Sequence, residues 1–261
     1  MKLSMMIIAG AAAAMLTACA DVPADPAARA DFDKANDPAE PTNRAIFAAN
    51  QFVDRNLLKP VARAYADNVP DGVRHSVHNF GSNLGEPIIM VNDLLQGNVS
   101  RAWTTTRRFA VDTTVGGVGL FDPATGWGLP YHSADFGQTF GVWGIGTGPS
   151  VQLPLLAFSN VRDTVGFAVG SLADPFAFIH GSTASDILAA KSTLGFVDRR
   201  ADLLPVTDSL EKTSLDYYAA LRSFAAHRRV LLVEEGKLGK EGSSSPDKSE
   251  PSAPGADTPP M

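Results

Sequence analysis

Phe136 to Val161 reads FGQTFGVWGIGTGPSVQLPLLAFSNV, 26 residues without a charged side chain. It lies in a wider cation-poor region. Between Phe109 and Ala190 the one cation is Arg162, against the acids Asp112, Asp122, Asp135, Asp163, Asp174 and Asp186. At the chain average of 19% charged, a region of that length would carry about 16 charges. Soluble surfaces are dense in Lys and Glu, so this region is either deeply buried or facing lipid. A simple transmembrane helix does not fit, because Gly137, Gly141, Gly144, Gly146, Gly148, Pro149 and Pro154 interrupt the stretch. Irregular backbone cannot face hydrocarbon with its N–H and C=O groups unpaired; it is tolerated where it packs in protein or lines a wet cavity. The expectation is a protein sitting in one leaflet, with short helices, a polar interior and an apolar rim. The alternative is the buried glycine-rich core of a soluble domain.

The rest of the composition bounds the function. The chain has 261 residues, 44% hydrophobic, with 22 Lys+Arg against 28 Asp+Glu and a net charge of −6. That length supports a sizeable core. The mild acidity argues against nucleic acid, whose phosphates call for a basic face. One cysteine excludes a disulfide framework or a Cys-rich metal site.

That cysteine is placed tellingly. Lys2 supplies a positive start, Met5 to Leu16 is an apolar core, and Leu16-Thr17-Ala18-Cys19 is a lipobox. Residues 1–18 read as a lipoprotein signal peptide, with Cys19 as the lipidated residue. Several acyl chains anchor a protein stably. Ala20 after the cysteine favours the outer membrane by analogy with bacterial sorting. Residues 19–36, rich in Ala, Pro and Asp, read as a flexible tether. Residues 236–261, with three consecutive serines and five prolines, read as a disordered tail. The folded domain is then 37–235.

Within it the pattern is helical, and the fold class is all-α. Asp37-Pro38-Ala39-Glu40 looks like a capped helix start, and Lys59-Pro60 ends or kinks that helix. Pro70-Asp71 opens a second helix. Pro87 starts a third, stopped by Gly97. Asn98 caps a fourth, with Ala102, Trp103, Phe109 and Ala110 as its apolar side. Ser159 or Asn160 caps a helix to Leu172, Ser185 or Asp186 another to about Leu204, and a last one runs from about Ser209 to Glu235. Gly166 and Gly170 form a small-residue face for close helix contact.

Signs of bond-breaking chemistry are thin. His75 and His78 are three apart on a helix but have no acidic or His partner nearby in sequence, so they read as surface histidines and no metal is assigned. Gly144, Gly146 and Gly148 lack the Lys-Ser/Thr of a phosphate loop. His132, Ser133 and Asp135 are adjacent, which is no sign of a triad. No cofactor and no enzymatic activity are expected. Trp103, Trp127, Trp143 and Tyr131 read as interface or core aromatics. Arg101, Arg107 and Arg108 are candidates to meet a lipid phosphate, since arginine donates bidentately. The competing reading has them snorkelling to headgroups or pairing with Asp112.

The ordered set Asp37-Pro38-Ala39-Glu40, Asn43-Arg44, Asn79-Phe80, Asn83-Leu84, Glu86-Pro87, Asn92, Leu94-Leu95-Gln96-Gly97, Arg108-Phe109, Gly116 to Asp122, Asp135 to Gly141, Gly148-Pro149, Leu153-Pro154 and Arg162-Asp163 resembles the MlaA (VacJ) family of outer-membrane lipoproteins. Asp112 stands where that family usually has Asn, and Ser150 where it usually has Tyr. The resemblance implies a ring of helices in the periplasmic leaflet around a central amphipathic pore. It implies retrograde transport, in which phospholipids misplaced in the outer leaflet pass to the periplasmic carrier MlaC, and association with a trimeric porin. Arg101, Arg107, Arg108 and Asp112 are the pore or headgroup candidates. Two other classes compete: a lipid-anchored structural partner of porins without transport, and a membrane-bound hydrolase.

Overall fold

The computed structural model describes residues 36–155, 157–178 and 182–239, with Asp25 and Asp31 besides. The expected signal peptide, Cys19 and the far end of the expected tail lie outside the described residues.

Helix α1 (Glu40–Val53) begins after Ala39 and has no side-chain cap. Asp37 has a different task from the expected cap. It is buried and accepts from Asn43 at 2.7 Å, from Arg222 at 2.7 Å and from the Tyr218 hydroxyl. Lys59-Pro60 does not end the helix either. The chain passes through a π-helical turn (Asp54–Leu58) into α2 (Lys59–Asn68), and the widened turn, in which the Lys59 N–H donates to the Asp54 carbonyl, accommodates Pro60, which has no N–H to donate. Helices α3 (Asp71–Asn83) and α4 (Glu86–Leu95) follow as expected, and Gly97, at φ +78°, stops α4. Asn98 precedes α5 (Val99–Thr114) without capping it, because its amide donates to the Gly236 carbonyl at 2.7 Å.

Short α6 (Pro123–Gly126) and α7 (Phe136–Val142) are capped by Asp122 and Asp135. One antiparallel hairpin, β1 (Ser150–Gln152) with β2 (Phe158–Asn160), interrupts the otherwise helical body. Its backbone is held by α1: the Asn43 amide donates to the Ser150 carbonyl and accepts from the Gln152 N–H, both at 3.0 Å. Asn160 caps α8 (Val161–Ala173). Helix α9 (Ser182–Thr213) runs through Pro205 and past the expected end near Leu204. The expected continuous helix from Ser209 is broken at residues 214–216, where Asp216 caps α10 (Tyr217–Leu238). That helix overruns the expected boundary at 235. Gly236 is buried within it, and a Cβ there would meet Gln96 Oε1 at 2.7 Å.

The helices close on themselves. α9 touches α3, α3 touches α5, α5 touches α4, α4 touches α7, α7 touches α10, and α10 returns to α9. Among the described residues one buried apolar cluster stands beside this circuit, where Ala62 of α2 packs on Ala201 and Leu204 of α9, with Tyr65 and Ala66 against it. Elsewhere the usual polarity is inverted. Among the described residues, buried polar and charged side chains outnumber buried apolar ones, while Phe52, Trp103, Phe121, Trp127, Trp143, Phe167 and Leu172 are more than half exposed. Apolar surface left in water costs roughly 25 cal/mol per Å², a cost that disappears against acyl chains. No helix among the described residues is long and apolar enough to cross a membrane.

The uncharged stretch divides in three: Phe136 to Gly141 is buried in α7 except for half-buried Phe140, Trp143 to Pro149 is exposed loop, and the β1–β2 hairpin follows. Burial of α7 depends on glycine. A Cβ on Gly166 of α8 would lie 2.3 Å from the Gly137 backbone nitrogen, so the two helices cross at backbone contact. Gly166→Ala should therefore destabilise the detergent-solubilised protein by about 1–3 kcal/mol in urea unfolding. Gly195→Ala on α9, where a Cβ meets nothing within 4 Å, should be neutral or stabilising by up to about 1 kcal/mol.

Candidate functional site

The polar interior is built mainly on α4 and α5. Along α5 the inward residues Arg101, Thr105, Arg108 and Asp112 recur at helical spacing and are all buried. The buried face of this helix is thus polar, and Trp103 stands outside at 60% exposure.

Arg108 is the hub. Its Nε donates to Glu86 at 3.0 Å, Nη1 donates to Thr125 and to the Leu129 carbonyl, and Nη2 faces Asp112 at 3.4 Å and Asp122 at 3.2 Å. A guanidinium has five N–H groups, and all five are engaged here. One cation among three carboxylates cannot hold all of them ionised cheaply. Burial pushes the Glu86 carboxyl up to about 7, against the pull of Arg108. Burial also raises Asp112. Burial would raise Asp122 as well, but the two hydrogen bonds from Thr125 and the charge of Arg108 outweigh it and hold it low.

A second buried group lies one to two turns away along α4 and α5. His132 Nε2 is 2.8 Å from Asp93 Oδ2, Thr105 donates to the same oxygen at 2.9 Å, and Arg101 Nε lies 3.7 Å from Asp93 Oδ1. Arg101 also donates to the Glu235 carbonyl at 3.2 Å. Hydroxyl, imidazole and carboxylate together invite comparison with a catalytic triad. However, one ring nitrogen faces both the acid and the hydroxyl, so the imidazole cannot relay a proton between them. All three residues are buried away from bulk solvent.

Two further lattices tie α10 to the rest. Arg229 bridges Asp135 at 2.7 and 2.8 Å and Asp163 at 2.7 Å, and its charge holds Asp163 low despite burial. Arg222 and Tyr218 hold Asp37.

The four residues picked out in the sequence therefore separate. Arg101, Arg108 and Asp112 are buried in the lattice, with Arg108 paired to Asp112. Arg107 is exposed, its guanidinium 5.9 Å from the Trp103 ring. On the outer side of the chain, Phe47, Ala48, Gln51, Phe52, Arg55 and Asn56 line an open cleft of about 480 Å³. It joins two aromatic rings and the Gln51 amide of α1 to Arg55 and Asn56 of the π-helical turn, a combination the sequence pattern did not reveal. Asp93 was missed as well. Its signal was available: acids at 86 and 93 sit two turns apart on a helix otherwise rich in Ile and Leu.

A family model described as MlaA lipoprotein matches residues 35–231. The chain belongs to the MlaA lipoprotein family. Its similarity to the Escherichia coli protein named "Intermembrane phospholipid transport system lipoprotein MlaA" is 33% identity, covering 86% of each chain. An uncharacterized protein of Rickettsia felis is 35% identical over 74% of this chain and 75% of its own length. A solved structure from work on "Structural basis for maintenance of bacterial outer membrane lipid asymmetry" superposes with a TM-score of 0.66 at 33% identity, covering 76% of this chain and 98% of that one. The MlaA-family fold is mostly helical, as the sequence pattern indicates.

The interior charges set a pH dependence. Folded Glu86 keeps its proton up to about 7, while unfolded Glu86 releases it near the model-peptide value of 4.5. Between these values the folded state binds more protons, so stability falls as pH rises and levels off above about 7. The urea midpoint of the purified protein should drop across this window, and Glu86→Gln should flatten the drop. Arg108→Ala strands buried carboxylates and should cost about 3–5 kcal/mol, read as lost folded yield.

Proposed function

We propose that this protein is an outer-membrane lipoprotein that removes mislocalised phospholipids from the outer leaflet and passes them to a periplasmic carrier, maintaining lipid asymmetry. The observation that carries this reading is the inverted polarity: a charged, hydrogen-bonded interior within a closed circuit of helices that exposes many large apolar side chains. A phospholipid crosses a leaflet slowly because its charged head must pass through hydrocarbon. A polar passage inside an apolar ring removes that barrier by substituting protein dipoles and charges for water. No bond is broken, which fits an interior whose one hydroxyl–imidazole–carboxylate group has no relay geometry.

In this reading the ring sits in the periplasmic leaflet and is held there by acyl chains on Cys19. Trp103, Trp127 and Trp143, all more than half exposed, lie at the interfacial level favoured by indole. Arg107, beside Trp103, meets the headgroup phosphate, while Arg101, Arg108 and Asp112 brace the wall around the passage. The carrier is MlaC and the outer-membrane partner is a trimeric porin. Both rest on the family resemblance; the relatives' names speak of a phospholipid transport system and name neither partner.

Deleting the gene should expose phospholipid in the outer leaflet, measured by its digestion when phospholipase is added to intact cells, at unchanged porin level. An unchanged outer leaflet would leave a structural partner of porins as the better reading. Fatty-acid release from phospholipid by the purified protein would favour the hydrolase. Cys19→Ala should abolish complementation of the deletion. Arg107→Ala should weaken it while leaving folded yield intact, unlike Arg108→Ala.

A further inference from the structure

His78 stands alone in sequence, but the fold gives it two carboxylates from 120 residues away. Asp198 and Asp202 are four apart on α9 and so project from one face of it. His78 projects toward them from α3. His78 Nδ1 lies 3.1 Å from Asp198 Oδ2 and 3.7 Å from Asp202 Oδ2, and one ligand atom from each residue falls within 4.8 Å of the others. We propose that His78, Asp198 and Asp202 form a binding site for a divalent transition-metal ion that clasps α3 to α9.

Geometry supports this first. Zinc–nitrogen and zinc–carboxylate bonds of about 2.0–2.2 Å at tetrahedral angles place ligand atoms roughly 3.3–3.5 Å apart. The two measured separations bracket that range, so an ion enters between the imidazole and the carboxylates with small side-chain rotations. The partner environment supports it second. The Asp198 side chain is 6% exposed, and its other oxygen accepts from the Tyr65 hydroxyl at 3.1 Å. That is the outer hydrogen bond that orients a ligating carboxylate. Access supports it third. His78 and Asp202 are 48% and 45% exposed, which leaves an entry path and a fourth position for water.

The donor set decides the class of ion. Two carboxylates balance a divalent charge, and the imidazole favours zinc or a neighbouring first-row metal over calcium or magnesium, which prefer all-oxygen sites. Arg199, next to Asp198 on α9, opposes a cation here, and the two carboxylates outnumber it. The site closes one joint of the helical circuit, between α3 and α9.

Zinc is the probe. Full-length protein in detergent, stripped with chelator and dialysed, is titrated with zinc chloride by calorimetry, and its melting temperature is followed in parallel. One equivalent should bind and raise the melting temperature. His78→Ala and Asp202→Asn, both at half-exposed positions, should melt like wild type without metal and lose zinc affinity by tenfold or more. Tyr65→Phe should lose about tenfold. Cobalt(II) should give the intense visible bands of a four-coordinate centre in wild type and not in His78→Ala. Absence of saturable zinc binding, or equal binding by wild type and His78→Ala, would overturn the site.

Discussion

The buried guanidinium of Arg108 is the contact on which the rest of the structure depends. It joins α4 through Glu86, its own helix through Asp112, and the α6 corner through Asp122, Thr125 and the Leu129 carbonyl. A soluble domain can hold its helices together by burying Leu and Phe. This chain turns those residues outward, so its helices need another adhesive. Paired charges provide it because the interior is desolvated and each pair is screened little by water. The same desolvation penalises any member left alone, which explains why the acids and bases come in multiply bonded groups and not in isolated pairs.

Glycine is the second requirement. Where an interior is held by polar groups with short reach, helices must approach closely. Gly166 against Gly137 brings α8 and α7 to backbone contact, and Gly236 lets α10 reach Gln96 and Gln138. These positions explain why a region that reads as irregular from its glycine content contains a helix crossing at backbone contact.

An apolar outside and a polar inside suit a molecule whose surroundings are acyl chains and whose cargo has a charged head. Membership of the MlaA lipoprotein family and the transport role named for its relatives agree with that inversion. The inversion itself is independent of any relative, since it follows from which side chains are exposed and which are buried.

Much was legible in the residues alone. The shortage of charge from Phe109 to Ala190 pointed to lipid or burial, Gly97 marked the end of α4, and Asn160 marked the start of α8, because charge depletion, positive φ and N-capping are local properties of sequence. Other positions were decided only by the tertiary structure. Asp37 reads as a cap and is instead a tie to Tyr218 and Arg222. Asn98 reads as a cap and instead holds α10 through Gly236. Arg108 reads as a ligand for phosphate or a partner of Asp112, and it takes the second role with Glu86 and Asp122 added from outside its own helix. His78 reads as a lone surface histidine and meets Asp198 and Asp202. The reason is common to all four. A polar side chain can satisfy the same hydrogen-bonding capacity locally or across the fold, and which choice is made depends on partners more than 100 residues away or on another helix, a distance that no local pattern encodes.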